Sequence, residues 1–206
     1  MIITNIDSFK EELKNYDYDV FWDQFMKTFV SKYRPDLNLD PGNVIFDHKN
    51  PLFSLENLSE LYEISLAESD KIDKKNMGKY FTPSDVSSFM SDLIIEKYQD
   101  QTIVDVGSGT GNLIISLLKR LPKTKVQDLL LKSKVHLFDI DFNALKIAKT
   151  IIMAIYTPIN DKDFYLKLEK NFLIKSQDFL SPESKLPQNC VVISNPPYGK
   201  LRSKNK

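Results

Sequence analysis

Three glycines within five residues follow a short apolar run in TIVDVGSGTGN, residues 102–112. Thr102–Val106 is apolar and β-branched, which suits a strand buried on both faces. Gly107, Gly109 and Gly111 supply a tight turn and let main-chain N–H groups come close to a ligand. Asn112–Lys119 then reads as an apolar helix. Strand, glycine turn and helix in this order commit the chain to a parallel sheet covered by helices. The chain holds only six glycines, so the placing of three of them here is informative.

The rest of the second half extends the pattern. Residues 134–139 read as a second strand, and 142–156 as a helix closed by Pro158. Residues 172–175 read as a third strand and 190–194 as a fourth. The predicted fold class is α/β, a doubly wound sheet of which only four strands are visible. Residues 1–75 read differently. Phe21, Trp22, Phe25, Phe29 and Val30 recur at helical spacing within residues 9–33. Leu55, Leu58, Leu61, Tyr62 and Ile64 do so over 54–67, with Ser54 or Asn57 as the expected cap. This aromatic stripe reads as core packing. The charged run 68–76 reads as a linker. The predicted division is a helical domain, 1–75, and the start of a catalytic domain, 76–206.

Composition excludes several classes. Lys plus Arg and Asp plus Glu both number 28, so the whole chain exerts no net pull on nucleic acid. The basic end KLRSKNK is a local exception and reads as a solvated tail. One cysteine, Cys190, leaves no disulfide framework, and two histidines argue against a His-based metal site. No run approaches the ~18 apolar residues of a membrane span, and no leader opens the chain. The expected setting is the cytoplasm, with no membrane partner.

The glycine loop is G-x-G-x-G. It lacks the last glycine of the dinucleotide fingerprint, because Asn112 stands there, and it lacks the GK[ST] of a phosphate loop. Asp105 ends the strand before the loop, where an acid repels a pyrophosphate and suits an ammonium. Asp139 ends the next strand, where a carboxylate accepts from ribose hydroxyls. A ligand with an amino-acid end and a ribose fits S-adenosylmethionine. Asp141 is expected to cap the following helix, over Asn143 and Ala144.

The fourth strand runs into Asn195-Pro196-Pro197-Tyr198. Two prolines forbid a helix there and impose a rigid extended loop. In such sheets this loop opens into the same crevice as Asp105 and Asp139. The Asn195 side-chain oxygen and the Pro196 carbonyl can accept the two hydrogens of an exocyclic amine, and Tyr198 can stack on a planar base. No covalent nucleophile is required.

DVGSGTGN, FDID and NPPY, in this order, resemble motifs I, II and IV of amino-methyltransferases that use S-adenosylmethionine. GKYFTP (78–83) resembles motif X of N6-adenine DNA methyltransferases of the gamma arrangement, found in type I modification subunits and related type II enzymes. QDFL (177–180) resembles motif III. The resemblance covers residues 78–198. It implies a methyltransferase sheet and a catalytic loop Asn195, Pro196, Pro197 and Tyr198. It implies a cofactor lined by Phe81, Thr82, Pro83, Asp105, Gly107, Gly109, Gly111, Asp139, Ile140, Asp178 and Phe179. Asp178 would meet the cofactor's adenine amine, and Phe179 its ring. The implied partner is DNA, with the target adenine flipped out of the duplex. NPPY alone is shared with glutamine and RNA methyltransferases, and N4 of cytosine offers the same two hydrogens. GKYFTP is what favours DNA.

The family's sheet has seven strands and a target-recognition domain follows it. This chain therefore reads as the first part of a longer enzyme. It is expected to be a truncated fragment, one piece of a split enzyme completed by a second polypeptide, or a remnant. Two other functions stay open. One is a protein glutamine methyltransferase. The other is a non-catalytic cofactor-binding or interaction subunit, which would need the stripe around Trp22 to be exposed.

Overall fold

The computed structural model describes residues 2–69, 82–179, 181 and 185–196. Phe81, Pro197 and Tyr198, the linker from 70 on, the GKY of motif X and the basic tail lie outside the described residues.

The chain opens with a strand of two residues, β1 (Ile2–Ile3), followed by α1 (Ile6–Lys14) and α2 (Tyr18–Tyr33). The segment 9–33, read as helical, holds parts of two helices. Asn15 closes the first, and the Asp17 side chain accepts from the N–H groups of Asp19 and Val20 to start the second. Short polar side chains compete for main-chain partners, and here they win over the helical periodicity. β2 (Ile45–Phe46) pairs in parallel with β1, so the first segment is not wholly helical as predicted. α3 (Leu58–Glu68) begins later than residue 54, because Pro51–Phe53 forms a turn of 3-10 helix first. Asn57 occupies the cap position of α3, but its side chain makes no capping bond; its amide donates to the Pro51 carbonyl.

The aromatic stripe is interior. Trp22 is 1% exposed and packs edge-on against Phe9, Phe21, Phe25 and Tyr62. Its indole N–H donates to Ser65 Oγ. The exposure that an interaction stripe would need is therefore lacking.

The second part begins with α4 (Ser84–Ile95), then β3 (Thr102–Val106), α5 (Asn112–Leu118) and α6 (Lys123–Leu131). β4 (Val135–Asp139), α7 (Phe142–Tyr156), α8 (Lys162–Asn171), β5 (Leu173–Ser176) and β6 (Cys190–Ile193) follow. The four long strands form one parallel sheet in the order β5-β4-β3-β6. The chain first lays strands to one side of β3 and then returns to the other. The reversal lies between β3 and β6, and ligands of open α/β sheets bind beyond the strand ends at such a point.

α7 joins the two parts. Ala144, Ile147 and Ile151 enter the aromatic cluster of the first segment, while Leu145, Ala148 and Ile152 enter the core against the sheet. Apolar residues on more than one side of α7 let it face both clusters at once. Arg34 (8% exposed) ties the end of α2 to the end of α7: its guanidinium donates to the carbonyls of Ala154, Thr157 and Pro158 and forks onto Asp36. No helix among the described residues is long and apolar enough to cross a membrane.

Candidate cofactor and substrate site

Gly107, Gly109 and Gly111 all stand in the left-handed region, at φ of 70°, 53° and 84°. L-residues with a side chain resist that conformation. The loop is pinned to the neighbouring strand, since the N–H groups of Gly107 and Ser108 both donate to the Phe138 carbonyl. Two of the glycines have separate duties. A Cβ on Gly111 would stand 2.8 Å from Ala148 Cβ, so this glycine lets the start of α5 press on α7. A Cβ on Gly107 would meet nothing within 4 Å, so its side of the loop faces open room.

Asp139 closes the loop in a way the sequence did not suggest. Its Oδ2 accepts the Gly109 N–H at 2.8 Å, and its Oδ1 accepts the Asp141 N–H at 2.8 Å. A carboxylate has about four acceptor directions, so each of its oxygens can take more than one donor. Asp141 caps α7 over Asn143 and Ala144 as predicted, and also accepts from the Tyr62 hydroxyl at 2.7 Å.

Asp105 is 1% exposed, and its Oδ2 has no partner among the described residues. Burial pushes its carboxyl up to about 8, and the negative Asp139 adds to this, while the Ile114 N–H works in the opposite direction. At neutral pH the group is therefore largely a neutral acid, where the sequence reading pictured a standing anion. Ser108 Oγ and Thr110 Oγ1 are also buried without a partner among the described residues. Three orphaned polar atoms along residues 105–110 are unusual, because buried polar groups are nearly always hydrogen-bonded. They fit a loop built around a polar ligand head.

The neighbouring strand ends carry the remaining candidates. Ile140 is 54% exposed, an apolar surface beside Asp139. The Gln177 N–H donates to the Asp139 carbonyl, bringing the end of β5 beside that of β4. Asp178 is exposed there, and the half-buried Phe179 rests on Phe138, ring centroids 5.4 Å apart. Across the reversal, Ser194 Oγ donates to the Val106 carbonyl at 2.6 Å. The half-buried Asn195 donates its amide N–H to Thr82 Oγ1 at 3.1 Å, and Thr82 itself is 9% exposed. Pro83 takes the cap position of α4, and Pro196 is exposed. Thr82 and Asn195, 113 residues apart, thus meet beside the glycine loop.

A parallel sheet in this order, with a glycine loop at one strand end and an Asn-Pro loop across the reversal, is an open α/β sheet of the Rossmann-like type with a ligand crevice at its switch point. A family profile described as N-6 DNA Methylase matches residues 54–206, and the chain belongs to that family. Two curated relatives are similar to it. The type II methyltransferase M.VspI of Vibrio sp. (strain 343) is 31% identical over 153 residues, which are 73% of this chain and 32% of the relative. The type II methyltransferase M.BsuBI of Bacillus subtilis is 29% identical over 140 residues, 65% of this chain and 26% of the relative. The chain thus spans about a third of the one and a quarter of the other.

Proposed function

We propose that this chain is the cofactor-binding part of a restriction–modification methyltransferase that moves a methyl group from S-adenosylmethionine to N6 of adenine in DNA. The observation that carries the reading is the meeting of Asn195 with Thr82 beside the glycine loop. It joins the two segments that resemble motifs IV and X, and it does so next to the buried, unsatisfied Asp105. Residues 1–75 then form a front domain and 76–206 the start of the catalytic one.

When bound, S-adenosylmethionine supplies an electrophilic methyl group. Asp105 would receive the ammonium of its amino-acid end, which favours the ionised carboxyl. Asp139 would accept from the ribose hydroxyls, and Ile140, Asp178 and Phe179 would border the adenine ring. Phe81, Thr82 and Pro83 would border the methionine end. Asn195 Oδ1 and the Pro196 carbonyl would accept the two hydrogens of the target amine, leaving its lone pair free to attack. Pro197 would stiffen this loop and Tyr198 would stack on the flipped base. Flipping costs a few kcal/mol, which stacking partly offsets. No general base is evident among the described residues, so the proton that the amine gives up as it gains the methyl group would leave to solvent, and orientation and electrostatics would supply most of the rate. Contacts to the DNA sequence would come from polypeptide beyond these residues, in the same chain or a second one, and the enzyme would work in the cytoplasm.

Calorimetric titration of the 206-residue chain with S-adenosylmethionine tests the first half of this reading. Saturable binding is expected, lost in a folded Asp139→Ala variant; a folded chain that binds nothing overturns it. Transfer of labelled methyl to DNA, read as N6-methyladenine and abolished by Asn195→Ala, tests the second. Label appearing on glutamine of a peptide instead would redirect the reading to protein.

A further inference from the structure

Asn112 stands where the dinucleotide fingerprint has its last glycine. Both ends of its carboxamide are engaged. Its Nδ2 donates to the Thr82 main-chain carbonyl at 3.2 Å, and its Oδ1 accepts from Ser59 Oγ of α3 at 2.9 Å. Thr82 in turn accepts, at its hydroxyl, the amide N–H of Asn195 at 3.1 Å. Four residues from four separated segments therefore form one line: Ser59, Asn112, Thr82, Asn195.

The order of donors matters. A carboxamide has one donor end and one acceptor end. With its nitrogen taken by Thr82, Asn195 has Oδ1 left to meet an incoming N–H. Turned through 180°, it would set a donor against the donor of the amine. The Thr82 hydroxyl can accept or donate, so it anchors the Asn195 carboxamide in place rather than choosing its face, and it does so only while Asn112 holds Thr82 by the main chain. Asn112 has one favoured orientation, because reversing it would set its oxygen against the Thr82 carbonyl, which can only accept.

We infer that Asn112 and Ser59 are positioning residues for methyl transfer, holding Thr82 where its hydroxyl anchors the Asn195 carboxamide. The inference rests on the proposed function for its rate consequence, but its geometry can be tested apart from any reaction. In this chain, the side-chain amide NMR signal of Asn195 is identified by its loss in Asn195→Asp. Asn112→Ala and Thr82→Val are expected to shift that signal and speed its proton exchange, and Thr82→Ser to preserve it. An unmoved signal in folded Asn112→Ala overturns the relay.

Kinetics supply the second reading. Ser59→Ala and Asn112→Ala are expected to lower kcat roughly 10- to 100-fold with the cofactor KM unchanged, the scale of a small misplacement of a reacting group. Ser59→Thr, which keeps the hydroxyl, is expected to restore the rate. Wild-type transfer that neither variant slows overturns the positioning role. No transfer by the wild type, with the Asn195 signal still responding, would instead count against the DNA reading and leave the relay standing.

Discussion

The Gly109 N–H donates to Asp139 Oδ2 at 2.8 Å, so the acid that ends β4 is also the clasp of the glycine loop. Its second oxygen holds the turn into α7 through the Asp141 N–H. Asp139→Ala should therefore do more than remove a ribose contact. Two main-chain donors lose a charged acceptor, a cost of roughly 2–4 kcal/mol. Denaturant unfolding checks this: the midpoint should fall with the m-value unchanged. A variant as stable as wild type would mean that the clasp contributes nothing and that Asp139 acts on ligand alone.

Asp105 makes the stability of the unliganded chain depend on pH. Its carboxyl titrates at about 8 in the fold, against about 4 in an unfolded chain. Between these values the folded state holds a proton that the unfolded state has released. Stability contributed by that proton is complete below about pH 4 and is lost as pH rises to about 8. Unfolding free energy measured from pH 5 to 9 should thus fall for wild type relative to Asp105→Asn, the difference levelling off above the folded-state value. Parallel curves would show that Asp105 is solvated or paired in solution.

Gly107 and Gly111 should separate binding from stability. Gly111→Ala brings a methyl 2.8 Å from Ala148 at φ 84°, combining overpacking with backbone strain. The expected loss is roughly 2–4 kcal/mol. Gly107→Ala meets no neighbour, and at φ 70° it should cost only about 1–2 kcal/mol. Its methyl would stand in the open room beside the loop, so the effect should fall on cofactor affinity. Thermal melts and calorimetry on both variants check the pair; equal effects of both on stability and binding would dissolve the distinction.

The sheet was legible because its strands are short apolar runs with sharp ends. The predicted strands lie within one residue of those found, and the helix 142–156 matches Phe142–Tyr156. Three helices were not seen in advance. α4 is rich in serine, a weak helix former in isolation, yet Ser87 and Ser91 are buried and return their hydroxyls to the carbonyls of Ser84 and Ser87. α6 buries only Val126, Leu129 and Leu130, and α8 only Tyr165 and Leu168, too few to stand out among charged neighbours. The site was legible as a set of motifs but not as a network. The Gly109–Asp139 clasp and the Asn112–Thr82 bond each span 30 residues. Periodicity carries no signal for such pairs. The one available clue was that Asn112 replaced a glycine.

Arg34 offers the sharpest test of how the two parts are joined. Its guanidinium satisfies three carbonyls at the end of α7 and pairs with Asp36, which also accepts the Asn160 N–H. The pairing holds the Asp36 carboxyl well below the usual carboxylate range, with Arg34 the leading cause. A positive group at a helix C-terminus is favourable in itself. Removing it leaves several carbonyls and a carboxylate without their partner, so Arg34→Ala should destabilise by about 3 kcal/mol. Arg34→Lys should recover little, since an ammonium cannot reproduce the planar fork that spans Asp36 and the carbonyls together. Asp36 adds a pH signature. A depressed carboxyl gives stability that is present above about pH 4 and is lost as pH falls below it. Acid unfolding of Asp36→Asn should therefore be shallower than that of wild type in this range. If Arg34→Ala melted like wild type, the contact between α2 and α7 would rest on apolar packing alone, and the aromatic cluster would carry the whole junction.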